Sequence, residues 1–278
     1  MTVLLERLPA LEEDYPLSEM QCAQYRRDGH ILLRGVADRE AVAAYRPAIQ
    51  EAVRKWNRET RKLEDRDTYH KAFLQTSNLW ENSEEVKRFV LARRFARIAA
   101  DLMGVEGVRL WHDQALFKEA GGGHTPWHQD QFYWPLDTSH TITMWMPLTE
   151  APQESGTLTF ASGSHREGSL ASLSISDESS VYFRNRVIEK GYPLITGDLA
   201  PGDATFHSGW TLHKAPGNSA GFTREVITII YFADGTKVAE PANAFQPKDL
   251  DRWMPGLKPG DVAASPLNPL LYHRDWDR

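Results

Sequence analysis

His128, Asp130 and the pair His207 and His213 are the side chains whose types and spacing could do chemistry. In an extended strand alternate residues project to one face. In Trp127-His-Gln-Asp-Gln-Phe-Tyr-Trp134 an imidazole and a carboxylate therefore point the same way, while Gln129 points away. A second imidazole would complete a donor set of two nitrogens and one carboxylate oxygen. Such a set takes three positions around an ion such as iron(II) and leaves the opposite face open for substrate and dioxygen. The third donor must come from elsewhere, and Phe206-His-Ser-Gly-Trp-Thr-Leu-His213 offers His207 and His213, which share strand parity if the segment is regular. Arg224 follows eleven residues after His213, ahead of the apolar run 226–231. A guanidinium beside a buried strand needs a partner, and its planar donor fork suits a carboxylate.

These residues need a scaffold, and the 278-residue chain has room for one large β domain or two small ones. A net charge of −6 and a pI near 5.9 provide no footprint for nucleic acid or an anionic membrane. No apolar run approaches membrane-spanning length, and the opening Met-Thr-Val-Leu-Leu-Glu-Arg has no signal-peptide pattern. The single cysteine, Cys22, rules out an internal disulfide framework and suits a reducing compartment, so a cytoplasmic location is expected.

Residues 1–104 read as mostly helical. Ser18 and Gln21 form a capping box for a helix through Tyr25 to Asp28, ended by Gly29, and residues 30–34 form a short strand. Asp38 is placed to cap a helix with Val42, Tyr45, Ile49, Val53 and Trp56 at helical spacing. Residues 58–67 read as exposed. Asn82 with Glu85 is expected to cap one further helix burying Val86, Phe89, Val90, Ile98 and Leu102. After Gly104 the pattern turns to strands: 108–118, with His112, Gln114, Leu116 and Lys118 on one face; the stretch containing His128; and 141–148, with Thr141, Thr143 and Trp145 on one face. Residues 166–195 have weak periodicity and read as a functional loop or lid. A turn at Pro201-Gly-Asp203 precedes a strand carrying His207 and His213, and the Arg224 strand follows. The pattern predicts a mainly β fold with helices (α+β): a double-stranded β-helix, or cupin-like jelly-roll, with N-terminal helices packed on one sheet. One domain is expected over 1–278, with a helical part at about 1–104, a jelly-roll core at about 105–235 and an irregular tail at about 236–278.

The ordered set of motifs resembles the phytanoyl-CoA dioxygenase family of iron(II)- and 2-oxoglutarate-dependent oxygenases. It runs from Leu17-Ser-x-x-Gln21 and Tyr25-x-x-Asp-Gly29 through Lys118, Trp127-His-Gln-Asp130, Trp145 and Glu154-Ser-Gly-Thr-Leu158. Gly163-Ser-His165, Gly202-Asp203 and the span from His213 to Arg224 complete it. The resemblance implies that His128, Asp130 and His213 ligate iron and that Arg224 holds the far carboxylate of 2-oxoglutarate. It selects His213 over His207, because the family's ligand stands eleven residues before the arginine. It also implies that Trp145 and Gln114 face the cosubstrate and that Gln129 touches it or the site entrance. The implied reaction consumes dioxygen, releases succinate and carbon dioxide, and hydroxylates a small molecule.

Tyr133, Trp134 and Trp210 are candidate substrate walls. Ala215 stands where many relatives carry a hydroxyl residue that can bond 2-oxoglutarate. Asp130 argues against halogenation, which needs a small residue at that position. Two other classes use the same scaffold: a cupin-like metal-dependent hydrolase or isomerase, in which Arg224 has no special role, and a catalytically inactive jelly-roll binding protein. Oligomeric state is not written in the chain.

Overall fold

The computed structural model describes residues 8–171 and 173–277. The chain opens with α1 (Glu19–Asp28), β1 (His30–Leu33), α2 (Arg39–Trp56), α3 (Thr68–Ala72) and β2 (Leu74–Ser77). Two helices, α4 (Glu84–Val90) and α5 (Arg93–Met103), lead into β3 (Gly107–Phe117), β4 (Thr125–His128), β5 (Thr141–Pro147) and β6 (Thr159–Ala161). Then come α6 (Asp177–Lys190), β7 (Leu194–Ile195), β8 (Ala204–Ser208), β9 (His213–Ala215), β10 (Val226–Ala233), α7 (Gln246–Trp253) and β11 (Leu270–His273).

The strands form two antiparallel sheets. The larger has the order β1-β8-β5-β10-β3-β11, with β2 also paired to β3, and the smaller has the order β4-β9-β6-β7. They face one another: Phe160 on β6 stacks on His30 of β1 with ring centres 4.6 Å apart. This is the expected jelly-roll. Alternation along β5 divides its two faces. Ile142, Met144 and Met146 join Tyr45, Phe89, Phe95 and Leu102 of the helices in the main core, while Thr143 and Trp145 face the space between the sheets. The N-terminal helices thus brace the outer face of the larger sheet, as their apolar spacing requires.

Two bulges set which side chains reach that space. On β3 the register slips by one residue opposite Ile230 and Tyr231, so both Trp111 and His112 lie on the inner side. His112, Gln114 and Leu116 then line the interior, while Ala115 and Phe117 return to the main core. On β4 a similar slip lets Thr125 and His128 both face inward, although strict alternation would separate them.

Several local expectations need correction. Asp38 stands at the N-cap of α2, but its side chain makes no capping bond. Ser83, not Asn82, caps the next helix, its Oγ accepting from the Val86 N–H at 3.2 Å; Asn82 instead closes the preceding turn onto Leu79. That single expected helix is two, broken at Ala92, which is extended (φ −58°, ψ 126°) where Arg94 donates its backbone N–H to Leu11. Arg66 in the supposedly exposed stretch is buried against Glu119. The supposed 166–195 loop contains α6, opened by a Ser176/Ser179 capping box. Only a narrow seam of α6, Phe183 and Val187, packs on Trp127 and Leu212, while Val181, Tyr182 and Ile188 are exposed. That distribution blurs the helical period. The supposed 207–213 strand is two strands, with β8 in the larger sheet and β9 in the smaller. The tail is not irregular throughout: it forms α7 and β11, the latter paired with β3.

Gly202 is the turn residue before β8. Its φ is +91°, and a Cβ there would lie 2.0 Å from the Ala37 carbonyl oxygen, which is backbone and cannot swing aside. Gly202→Ala is expected to destabilise the fold by at least about 2 kcal/mol, read as a lowered denaturant midpoint with an unchanged slope.

Candidate metal centre

β4 ends at His128, two residues after Pro126. Gln129 stays extended (φ −120°, ψ 127°) before the chain tightens into a 3-10 turn at Asp130–Tyr133. The strand is therefore shorter than expected, yet His128 and Asp130 still project together. His213 opens β9 and pairs directly with His128 across the ladder. Asp130 Oδ1 lies 3.4 Å from His128 Nε2 and 3.6 Å from His213 Nε2. One donor atom from each residue lies within 4.8 Å of the others, and among the described residues this is the only such cluster.

Backbone carbonyls orient both rings. His128 Nδ1 donates to the Pro126 oxygen at 2.8 Å, and His213 Nδ1 donates to the Thr211 oxygen at 3.0 Å. With each proton held at Nδ1, the Nε2 lone pairs converge beside Asp130. The second carboxylate oxygen is already engaged. Asp130 Oδ2 accepts from the Thr143 hydroxyl at 3.0 Å and from His207 Nε2 at 3.1 Å. His207 thus stands behind the carboxylate on the larger sheet, and its Nδ1 is buried without a partner among the described residues.

Burial alone would raise the Asp130 pKa, but His213, His128 and His207 outweigh it and hold the carboxyl well below its usual range. Burial, with His128 beside it, pushes His213 well below the usual imidazole value. An ionised carboxylate with a neutral imidazole is the protonation state a divalent cation needs.

The donors open into a cavity of about 950 Å³. On one wall Arg224 is almost fully buried. It donates from Nη1 to the Gly156 carbonyl and from Nη2 to the Leu116 carbonyl at 3.3 Å, while its Nε has no partner among the described residues. Its guanidinium carbon lies 5.1 Å from the Trp145 ring centre. No carboxylate among the described residues pairs with it, and burial lowers its pKa to about 9, so it stays charged at neutral pH. Lys118, bridged to Arg224 by two backbone hydrogen bonds of 2.9 Å, is also fully buried and donates from Nζ to the Gly123 carbonyl at 2.5 Å.

The other expected site residues divide. Trp145, Gln114, Tyr133 and Trp134 line the cavity. Gln129 is turned out of it, as strand alternation requires. Its Nε2 donates to the Gly168 and Trp210 carbonyls at 2.8 and 2.6 Å, and its Oε1 accepts from the Leu170 N–H at 3.0 Å. The expected cosubstrate contact of Gln129 is therefore corrected to pinning the 168–170 segment behind the metal motif. Trp210 is half-buried and does not line the cavity; its carbonyl serves Gln129. Sequence reasoning missed Tyr69, Phe245, Asp249, Arg252 and Trp253 in the cavity wall. Pro247 in the first turn of α7, followed by Asp249 and Trp253 at four-residue spacing, was the available signal.

A sequence profile of the phytanoyl-CoA dioxygenase (PhyH) family matches residues 25–226. Phytanoyl-CoA dioxygenase domain-containing protein 1 of Danio rerio is 26% identical over 137 residues, which is 47% of this chain and 47% of that protein. The match thus spans about half of this relative. Among solved structures, the non-heme alpha ketoglutarate dependent carbocyclase SnoK from nogalamycin biosynthesis superposes with a TM-score of 0.74 at 25% identity, covering 92% of this chain and 96% of SnoK. The epimerase SnoN, solved with Fe3+, alpha ketoglutarate and nogalamycin RO, superposes with a TM-score of 0.73 at 26% identity, covering 98% and 100% of the two chains.

Burial, with Arg224 adding repulsion, lowers the Lys118 pKa from 10.5 to about 6. Between those values the unfolded chain binds a proton that the folded chain has shed, so stability rises with pH across this window and the contribution flattens below pH 6. Lys118→Met is expected to remove up to about 1 kcal/mol per pH unit from that slope, measured by urea unfolding between pH 7 and 9.

Proposed function

The chain belongs to the phytanoyl-CoA dioxygenase family, and from that premise we propose that it is an iron(II)- and 2-oxoglutarate-dependent oxygenase that hydroxylates a small-molecule metabolite. The observation that carries this reading is Arg224, a buried cation without an acidic partner among the described residues, in the wall of the cavity that holds the His-Asp-His cluster. A metal-dependent hydrolase has no use for that charge, whereas a dicarboxylate cosubstrate supplies its missing partner.

The donor chemistry fits the metal. Two imidazole nitrogens and one carboxylate oxygen suit a ferrous ion with open positions, and His128, Asp130 and His213 would hold it. When bound, iron and 2-oxoglutarate supply the oxidation: dioxygen is reduced, 2-oxoglutarate leaves as succinate and carbon dioxide, and a substrate C–H bond is hydroxylated. The chain's own part is positioning. Thr143 and His207 occupy Asp130 Oδ2, which leaves Oδ1, beside the two imidazoles, as the oxygen that would hold the metal. Arg224 receives the distal carboxylate with Trp145 packed beside its guanidinium, and Gln114 and Thr228 line the same space. Ala215 brings no hydroxyl, but its ladder partner Thr125 brings one to the same cavity. The aromatic walls hold an organic substrate and exclude water.

Among the described residues no helix is long and apolar enough to cross a membrane. The single cysteine and acidic balance are consistent with a cytoplasmic enzyme that does not bind nucleic acid, and we read residues 1–278 as one oxygenase domain.

Two measurements test this. Anaerobic addition of iron(II) and then 2-oxoglutarate is expected to produce a visible metal-to-ligand charge-transfer band. His213→Ala should lose it, while His207→Ala should keep it with iron affinity weakened roughly ten- to a hundred-fold. Metal binding by the wild-type protein without the band would overturn the oxygenase reading. Separately, Arg224→Met should leave the cofactor-free unfolding temperature equal or higher, because an isolated buried charge is gone. It should also abolish the stabilisation by 2-oxoglutarate, about 2.7 kcal/mol in wild type at one hundred times the dissociation constant.

A further inference from the structure

We propose that Asp249 and the aromatic rings around it form a recognition site for a protonated amine, so that the substrate is a metabolite bearing an aliphatic ammonium group on an apolar frame. The identification of this ligand as the substrate rests on the oxygenase reading above; the site itself does not.

The site is built by α7. Phe245, Asp249 and Trp253 recur every four residues and therefore share one helix face, and all three line the cavity. Tyr69 and Tyr133 line the same cavity, with the Tyr133 ring edge-on to Phe245 at 5.6 Å and an interplanar angle of 79°. Asp249 is thus a lone carboxylate in an aromatic wall, as in cages that bind organic cations through ring faces and a counter-charge.

Nothing among the described residues satisfies that carboxylate. Its side chain has no hydrogen bond or ion pair, in contrast to the neighbouring hydroxyls. Tyr69 donates to Gln75 Oε1 at 2.5 Å, and the Tyr133 oxygen accepts from the Ile175 N–H at 2.8 Å. Burial raises the Asp249 pKa to about 6, and Arg252 only partly offsets it. Asp249 remains ionised at neutral pH, half-buried and unpaired, a state that a cationic ligand relieves.

The competing charges are placed differently. Arg252 and Arg58 also line the cavity, but both are exposed to solvent, and the Arg252 guanidinium already lies 4.2 Å from the Trp253 ring centre. Exposed cations are screened by water, so the more buried Asp249 sets the preference. His112, on the side of the cavity near Trp253 with ring centres 4.6 Å apart, is held neutral, since burial lowers its pKa to about 3. The same cavity contains the metal donors, so a molecule anchored at Asp249 extends toward them.

The test uses the protein loaded anaerobically with iron(II) and 2-oxoglutarate and three matched probes in equilibrium dialysis. They are 2-(dimethylaminomethyl)naphthalene, which is cationic; its neutral isostere 2-isobutylnaphthalene; and the anion 2-naphthylacetate. The cationic probe should bind roughly ten- to thirty-fold tighter than the isostere. Asp249→Asn should erase that preference, and Asp249→Glu should retain part of it. Equal binding of the cation and its isostere, no detectable binding of the cation, a preference that survives Asp249→Asn, or tightest binding of the anion would each overturn the proposal. The charge-transfer band in the same samples reads the oxygenase assignment separately. Band present without amine preference defeats the amine site alone, and amine preference without the band defeats only the oxygenase reading.

Discussion

Asp130 joins the two sheets. One carboxylate oxygen faces the imidazoles of His128 and His213 on the smaller sheet, and the other accepts from Thr143 and His207 on the larger one. Each interaction constrains the others. If Thr143 or His207 moved, the carboxylate could rotate; if β9 slipped against β4, His213 would leave the cluster, because a one-residue shift turns a strand's side chains to the opposite face. The donor geometry is therefore a property of the sandwich, and the surrounding elements can be understood by how they keep its two halves in register.

The bulges belong to that task. A strictly alternating β3 could not send Leu110 into the helix-covered core and His112, Gln114 and Leu116 into the cavity, and the extra residue at Trp111 makes the change. The slip in β4 does the same for Thr125 and His128. Arg224 and Lys118 sit where β3 and the chain entering β10 come together, tied by backbone hydrogen bonds; burial leaves Lys118 neutral at neutral pH, whereas Arg224 is a cation that no acid among the described residues neutralises. A buried charge such as Arg224 lowers the stability of the empty protein and raises its affinity for an anion. Stability given up in the empty protein is recovered only when the cavity is filled.

The cavity wall draws on segments far apart in the chain. Tyr69 comes from α3, Tyr133 from the turn after Asp130, and Phe245, Asp249 and Trp253 from the α7 region of the C-terminal segment. Gln129, flanked by two of the metal donors, turns its amide outward to hold Gly168 and Leu170, and Tyr133 accepts from Ile175. The segment leading into α6 is thereby attached to the metal motif at two points, and Ser174 and Ile175 lie along the cavity. Substrate-facing surface and metal-facing surface are thus built from the same few residues of the 127–134 stretch.

By itself the sequence determined the family, the jelly-roll class and the two local pieces of the donor set, because these depend on short-range rules. Residues two apart on extended backbone share a side, which places His128 with Asp130 even though the strand ends between them; an arginine at a set distance from a histidine needs no fold to be noticed. The Ser18/Gln21 capping box likewise showed α1, and apolar spacing showed α2 and most strands. What only the tertiary structure decided were the contacts between distant segments. By strand parity alone His207 and His213 look equivalent, and the family spacing to Arg224 selected His213; only the fold shows that a turn between β8 and β9 sends them to different sheets, one behind the carboxylate and the other beside it. The helix α6 was hidden because only Phe183 and Val187 of its apolar residues are buried. Asp249 looked like one charge in an ordinary tail until α7 set it in an aromatic wall. Local geometry is encoded residue by residue, whereas burial and charge compensation depend on which distant segments come to rest against each other.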